Sequence, residues 1–165
     1  MILGMSTATY TQLHVIISLV GIGSGLIVMY GFIRGKRWDG LNAIFLITTV
    51  LTSVSGFGFP FEHLLPSHKV GIISLVVLAV AIPARYLFHM AGAWRTIYVI
   101  SAAIALYFNC FVLVFQAFLK QPALHALAPQ GKEPPFLISQ IVVMIIFVVW
   151  TIWAVKKFHP ELARA

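Results

Sequence analysis

The sequence predicts an all-α integral membrane protein, a bundle of five transmembrane helices forming a single domain over residues 1–165, with the N-terminus outside and the C-terminus cytoplasmic. Three observations carry this. Only 9% of the 165 residues are charged and 61% are hydrophobic, with a mean hydropathy of +0.99. A soluble domain carries roughly 25% charged residues, so a chain this poor in charge cannot cover a globular surface with polar groups. Second, five apolar runs reach the ~20 residues needed to cross ~30 Å of hydrocarbon at ~1.5 Å per residue. Third, the cations are distributed unequally between the two sides that five crossings define.

The runs lie at about 12–33, 41–59, 70–90, 95–119 and 136–155. The third and fourth are separated only by Ala91-Gly92-Ala93-Trp94, but one helix from Val70 to Leu119 would be far too long for a single crossing. Gly92 ends the third and Arg95 opens the fourth. Four spans would result if the first two or the last two runs were merged or re-entrant. With the N-terminus outside, one side holds Arg34, Lys36, Arg37, Arg85, Arg95, Lys156, Lys157 and Arg164, eight of the eleven cations. The other holds Lys69, Lys120 and Lys132. The net charge of +7 is then mostly the positive-inside signal and calls for no nucleic acid. Met1 to Thr11 carry no cation and the first run is too long for the apolar core of a cleaved signal, so an uncleaved first span is expected. The lone Cys110 excludes a disulfide framework within one chain.

In the first span His14, Ser18, Gly21 and Gly25 are spaced by four, three and four and share a helix face. Small residues there let another helix approach closely, so this face packs inward rather than toward lipid. The turn Arg34 to Gly40 offers Trp38 to the interface and Asp39 as a cap for the second span. The second span is rich in hydroxyls (Thr48, Thr49, Thr52, Ser53, Ser55) suited to helix packing. Its helix should break near Phe59, where Gly56, Gly58 and Pro60 cluster.

The loop that follows contains Glu62, His63, His68 and Lys69, with Ser67 a candidate cap for the third span. Its three phenylalanines, Phe57, Phe59 and Phe61, should fold it down on the outer mouth of the bundle. The third span should run on to Met90, with Pro83 bending it, Arg85 snorkelling to the headgroups, and His89 on the same face as Arg85. The fourth carries a polar stripe at helical spacing: Tyr98, Ala102, Ala105, Asn109, Val112, Gln116 and Lys120. Residues 121–135, with four prolines and His125, form a cap or crossover, and the fifth span places Gln140 about one turn below the outer surface. Trp150 and Trp153 suit the inner interface, and Lys156-Lys-Phe-His-Pro reads as a stop-transfer end.

With this orientation His14, Glu62, His63, His68, Gln116, Lys120 and Gln140 all fall at the outer end. Buried polar groups need partners, so several of them should meet in one pocket. Three chemistries fit. A transition metal would be held by His14, Glu62, His63 and His68. Haem b would need two opposed imidazoles, His14 with His63 or His68. A quinone-like molecule would be oriented by His14, His63, His68, Asn109, Gln116 and Gln140 in an otherwise apolar cavity. A structural or accessory subunit without a ligand, and an oligomeric channel or transporter using Asn109 and Gln116, are the competing functions. No nucleophile–base arrangement, phosphate-binding loop or carboxylate pair stands out, so the sequence does not decide whether the protein is an enzyme. The expected partners are the lipid bilayer and, for so few spans, a second copy or other membrane subunits.

The stretch Gly56-Phe-Gly-Phe-Pro-Phe-Glu-His-Leu-Leu-Pro-Ser-His-Lys-Val-Gly, with His89-Met-Ala-Gly-Ala-Trp-Arg-Thr-Ile-Tyr and Lys120-Gln-Pro-Ala-Leu-His-Ala-Leu-Ala-Pro, resembles a group of small integral membrane proteins of proteobacteria. The resemblance covers most of the chain and implies the bacterial inner membrane. It supplies no activity, ligand or catalytic residue.

Overall fold

Helices form where the apolar runs predict them. The computed structural model describes residues 2, 4–60 and 66–159. Its helices are α1 (Thr7–Ile33), α2 (Asp39–Ser55), α3 (Pro66–Tyr86), α4 (Ala93–Lys120), the short α5 (Pro122–Leu127) and α6 (Pro134–Lys157). A single 3₁₀ turn, Gly56–Gly58, follows α2. No β-strand occurs among the described residues. Every helix except α5 is long and apolar enough to cross a membrane.

The ends follow local chemistry. α1 starts earlier than its apolar run because Ser6, in extended backbone, accepts from the Thr9 N–H at 3.1 Å and so satisfies one of the orphan donors of the first turn. Pro134 opens α6 at a position where its missing N–H costs nothing. The second helix gives way to the 3₁₀ turn just before Phe59, as the glycines predict.

Three expectations are corrected. The third helix stops at Tyr86 rather than Met90. It passes through Pro83 and then closes with the Met90 N–H on the Ala84 carbonyl at 2.9 Å, His89 and Met90 both taking left-handed backbone (φ 49° and 57°). His89 therefore lies beyond the helix and shares no face with Arg85. Asp39 does not cap α2: Trp38 holds the cap position without a side-chain bond, and the Asp39 carboxylate pairs with Arg37 and Arg85 instead. Ser67 does not cap α3, because the helix already includes Pro66.

Consecutive long helices run in opposite directions. α1 packs on α2, α2 on α3, α3 on α4 and α4 back on α1, with α6 set against α4 and α1. The beginnings of α1, α3 and α6 and the ends of α2 and α4 thus define one end of the bundle, here the amino-terminal end. The main core lies toward the other end: Met29 and Phe32 near the end of α1, Phe45 near the start of α2, Leu78 and Ala81 late in α3, and Tyr98 to Leu106 early in α4.

Closeness there depends on small residues. A Cβ on Gly25 would lie 2.6 Å from Leu106 Cδ1 and 2.8 Å from the Phe45 ring, and one on Gly21 would lie 3.0 Å from Thr48 Oγ1. Ala102, Ala103 and Ala105 are all at most 2% exposed. Between apolar helices in lipid, such close packing is the main source of association. A smaller cluster, Phe118, Ala128 and Phe136, ties α5 to the ends of α4 and α6. The crossover is thus an ordered cap along α5, with His125 exposed on it.

Candidate functional site

The same helices that close tightly on Gly25 part in the amino-terminal half, leaving a cavity of about 690 Å³ between α1, α2, α3 and α4. The polar stripe of α4 shows where the change occurs. Tyr98, Ala102 and Ala105 are packed, Asn109 is still buried at 8% exposure, and Asn109, Val112, Gln116 and Lys120 line the cavity. From Asn109 to Lys120 this wall is roughly 16 Å deep at ~1.5 Å per residue. Ile22, Leu19 and Val15 of α1 face it, and Gly71 and Ser74 of α3 form another side. The lining is mostly apolar with a few convergent polar groups, the usual build of a small-molecule site.

At its deeper end the polar groups are largely spent on one another. Asn109 Nδ2 donates to Thr49 Oγ1 at 3.4 Å, Ser53 Oγ donates to Ser74 Oγ at 3.3 Å, and Ser18 Oγ donates to the His14 carbonyl at 2.7 Å. Thr52 Oγ1 is the exception: it is buried in the wall and makes no hydrogen bond among the described residues.

Nearer the amino-terminal end α1 is pinned to the end of α2. Tyr10 Oη donates to the Ser55 carbonyl at 2.7 Å, and its ring meets Phe59 edge-on at 5.1 Å. A Cβ on Gly58 would lie 2.1 Å from that hydroxyl, so only glycine admits it. His14 Nδ1 lies 2.8 Å from Ser55 Oγ, and Ser55 Oγ also donates to the Thr52 carbonyl at 3.3 Å. Since the hydroxyl has one proton, both bonds coexist when Nδ1 carries a hydrogen and donates. In the neutral ring that leaves Nε2 as an acceptor. Phe57 stacks on the His68 ring at 5.4 Å and Phe59 meets the His14 ring edge-on at 5.3 Å, as expected of these two; Phe61 lies outside the described residues.

His14, His68, Asn109 and Gln116 thus share the cavity as the sequence suggests. Gln140 does not join them: it sits between α4 and α6, where its Nε2 donates to the Phe111 carbonyl at 3.1 Å. Glu62 and His63 lie outside the described residues. Among the described residues no group of three or more His, Cys, Asp or Glu side chains stands close enough to hold a metal ion.

At the opposite end the structure contains a polar cluster that the sequence reading missed. Arg85 is not at the surface but 3% exposed. It donates to the Asp39 carboxylate, which is itself 61% exposed. With the Asn42 amide assigned so that donors meet acceptors, its oxygen accepts from Arg85 Nε at 2.7 Å and Nη1 at 3.1 Å and its nitrogen turns to the Tyr98 hydroxyl. Arg85 also lies 5.3 Å over the Tyr98 ring, and its Nη1 reaches Met90 Sδ at 3.7 Å. Asn42, an amide at the start of the second apolar run and in the first turn of α2, was the available signal, since a polar group buried there must find partners. Beside the cluster, Arg95 Nη1 donates to the carbonyls of Val155 and Phe158. Phe158 is fully buried, its ring tilted against that of Phe32 at 4.5 Å, so the Lys156 to His159 segment closes the bundle rather than merely following it.

The fold and site define a class: an all-helical bundle with five potential membrane-crossing helices, closed at one end and hollow at the other. Comparison with protein-family models, curated proteins and solved structures yields no match.

Proposed function

We propose that the protein is a multi-pass membrane protein of the bacterial inner membrane that binds one lipid-soluble small molecule, of the quinone-like class with an apolar body and a small polar head, in its amino-terminal cavity. The observation that carries this is the cavity of about 690 Å³, within the ~300–1,000 Å³ range of ligand sites. Placing its mouth on the extracytoplasmic side follows from the cation asymmetry, eight of eleven lying on the opposite side.

Two features favour a ligand held by hydrogen bonds and burial over a metal or haem. The lining is mostly apolar with a few hydrogen-bonding side chains, and among the described residues no three His, Cys, Asp or Glu side chains gather to hold a metal ion. A purely structural subunit would be expected to fill its interior, whereas the amino-terminal half keeps a cavity of about 690 Å³. A channel through one chain is disfavoured by the closed lower half of the α4 stripe, where Tyr98 and Ala105 are fully buried.

The test is an oxidised-minus-dithionite-reduced absorption spectrum, elemental analysis and solvent extraction with mass spectrometry on one detergent-purified sample. A stoichiometric extracted organic molecule, absent from a Gly71→Leu variant whose side chain intrudes at the cavity wall beside Phe57, is the expected result. A Soret band lost in His14→Ala, or a stoichiometric metal, would replace this reading with a cofactor site. A blank on all three, together with no uptake of added amphiphile, would leave a structural role.

A further inference from the structure

The charge inventory of the cavity points to an acidic head in place of the neutral head of a quinone, and this inference rests on the reading of the cavity as a site for one molecule with an apolar body. Among its described lining residues there is one formal charge, the ammonium of Lys120, and no carboxylate. The two described acids lie elsewhere: Asp39 at the opposite end with Arg85, and Glu133 in the turn before α6, bonded to the backbone N–H groups of Gln130 and Lys132. Lys120 has no ion-pair partner among the described residues, and Gln116, one turn below it on the same face, makes no side-chain hydrogen bond there. Helix dipoles do not decide the sign at this rim, because the positive end of α3 and the negative end of α4 both reach it. The side-chain charge does.

We propose that the cavity takes a single-chain acidic amphiphile, its ionised head at the rim on Lys120 and Gln116 and its chain running down the apolar wall past Val112 toward Asn109. The chemistry is complementary at both ends. An ammonium and an amide N–H₂ are donors suited to a carboxylate or phosphate oxygen, while the ~16 Å of wall beneath them offers alkyl and aromatic surface to a chain. A neutral head would leave the Lys120 charge with no gain on binding. Charge-assisted hydrogen bonds are stronger than neutral ones, and the exposure of Lys120 at the rim reduces their effect to a preference of about tenfold.

The experiment measures binding of radiolabelled palmitate to the full-length protein in neutral detergent, with hexadecanol and single-chain lysophosphatidate as competitors. Palmitate is expected to bind at one site and hexadecanol about tenfold more weakly. Lys120→Gln should erase that difference while Lys120→Arg keeps it, and Gly71→Leu should abolish uptake of both. Lysophosphatidate binding more tightly than palmitate would assign the head as phosphate, and palmitate alone binding would assign it as carboxylate. Equal binding of acid and alcohol, blocked by Gly71→Leu, would overturn the acidic head and leave the cavity reading intact. Binding unaffected by Gly71→Leu and by Val112→Trp, both verified monodisperse, would overturn both, as would no binding at all.

Discussion

The Asn42 side-chain oxygen accepts from Arg85 Nε at 2.7 Å, joining the start of α2 to the end of α3 at a point where both residues are at most 3% exposed. The bond answers the main physical problem of the closed end, a guanidinium inside an apolar bundle. Arg85 is the more costly group to bury, and Asn42 and the more exposed Asp39 share its five donors with the Tyr98 ring.

Removing Asn42 should therefore cost more than removing Asp39. Asn42→Leu leaves a buried charge short of an acceptor, a loss of about 3 kcal/mol. Asp39→Asn, at an exposed carboxylate, should cost under ~1 kcal/mol. Arg85→Lys should fail to restore stability, since an ammonium lacks the planar fork. Thermal unfolding in detergent, with tryptophan fluorescence as the probe, ranks the three. A larger loss for Asp39→Asn would mean the exposed carboxylate, not the buried amide, holds the guanidinium.

The approach of α1 to α2 and α4 leaves no room for a side chain at Gly25, whose added Cβ would lie 2.6 Å from Leu106 Cδ1. Gly25→Ala should destabilise by ~1–3 kcal/mol through overpacking. Combining it with Leu106→Val should recover part of the loss. Strict additivity of the two changes in a double-mutant cycle would show that the contact is not tight.

At the hollow end, Gly58→Ala should drive the Tyr10 hydroxyl off the Ser55 carbonyl, because the new Cβ would lie 2.1 Å from Tyr10 Oη. The expected cost is about 2 kcal/mol, from the clash and the lost hydrogen bond. It should shrink in a Tyr10→Phe background, where that oxygen is already gone. An equal cost in both backgrounds would place the strain elsewhere.

Thr52 supplies a test of the cavity that needs no ligand. Its hydroxyl oxygen is buried without a hydrogen bond among the described residues, so Thr52→Val replaces an unsatisfied polar atom by a methyl group of similar shape. Stability without ligand should stay level or rise, by up to ~1 kcal/mol. A clear loss in the melting temperature would show that the hydroxyl has a partner in solution.

The Glu133 carboxyl, outside the five long apolar helices, is held below the usual carboxylate range chiefly by the Lys132 N–H, aided by the Gln130 N–H. A carboxyl with a depressed folded value adds stability above its unfolded value of about 4.3, and that stability is lost as pH falls through the folded value. The amide resonances of Gln130 and Lys132 should shift together with a midpoint below about 4.3. A midpoint at or above that value would contradict the bonded turn.

Periodicity and apolar run length were enough to place five long helices and the inward faces of α1 and α4, because a chain with so few charges has few other ways to satisfy its backbone in an apolar medium. The grouping of His14, His68, Asn109 and Gln116 was legible for the same reason: alternating helix direction carries residues at corresponding depths to the same end. Other features belong to the tertiary structure alone. Whether the α4 stripe closes or opens depends on what stands opposite it, Gly25 with Phe45 below and Val15 with Leu19 above, and such pairings are set between helices rather than within them. The burial of Arg85 and the separation of Gln140 from the cavity follow from small rotations and offsets of neighbouring helices, to which a one-dimensional pattern is blind. The left-handed turn at His89 and Met90 ended α3 early with no glycine to announce it until Gly92, because the Met90–Ala84 closure and the packing of Met90 under Arg85 hold a backbone conformation that neither residue prefers on its own.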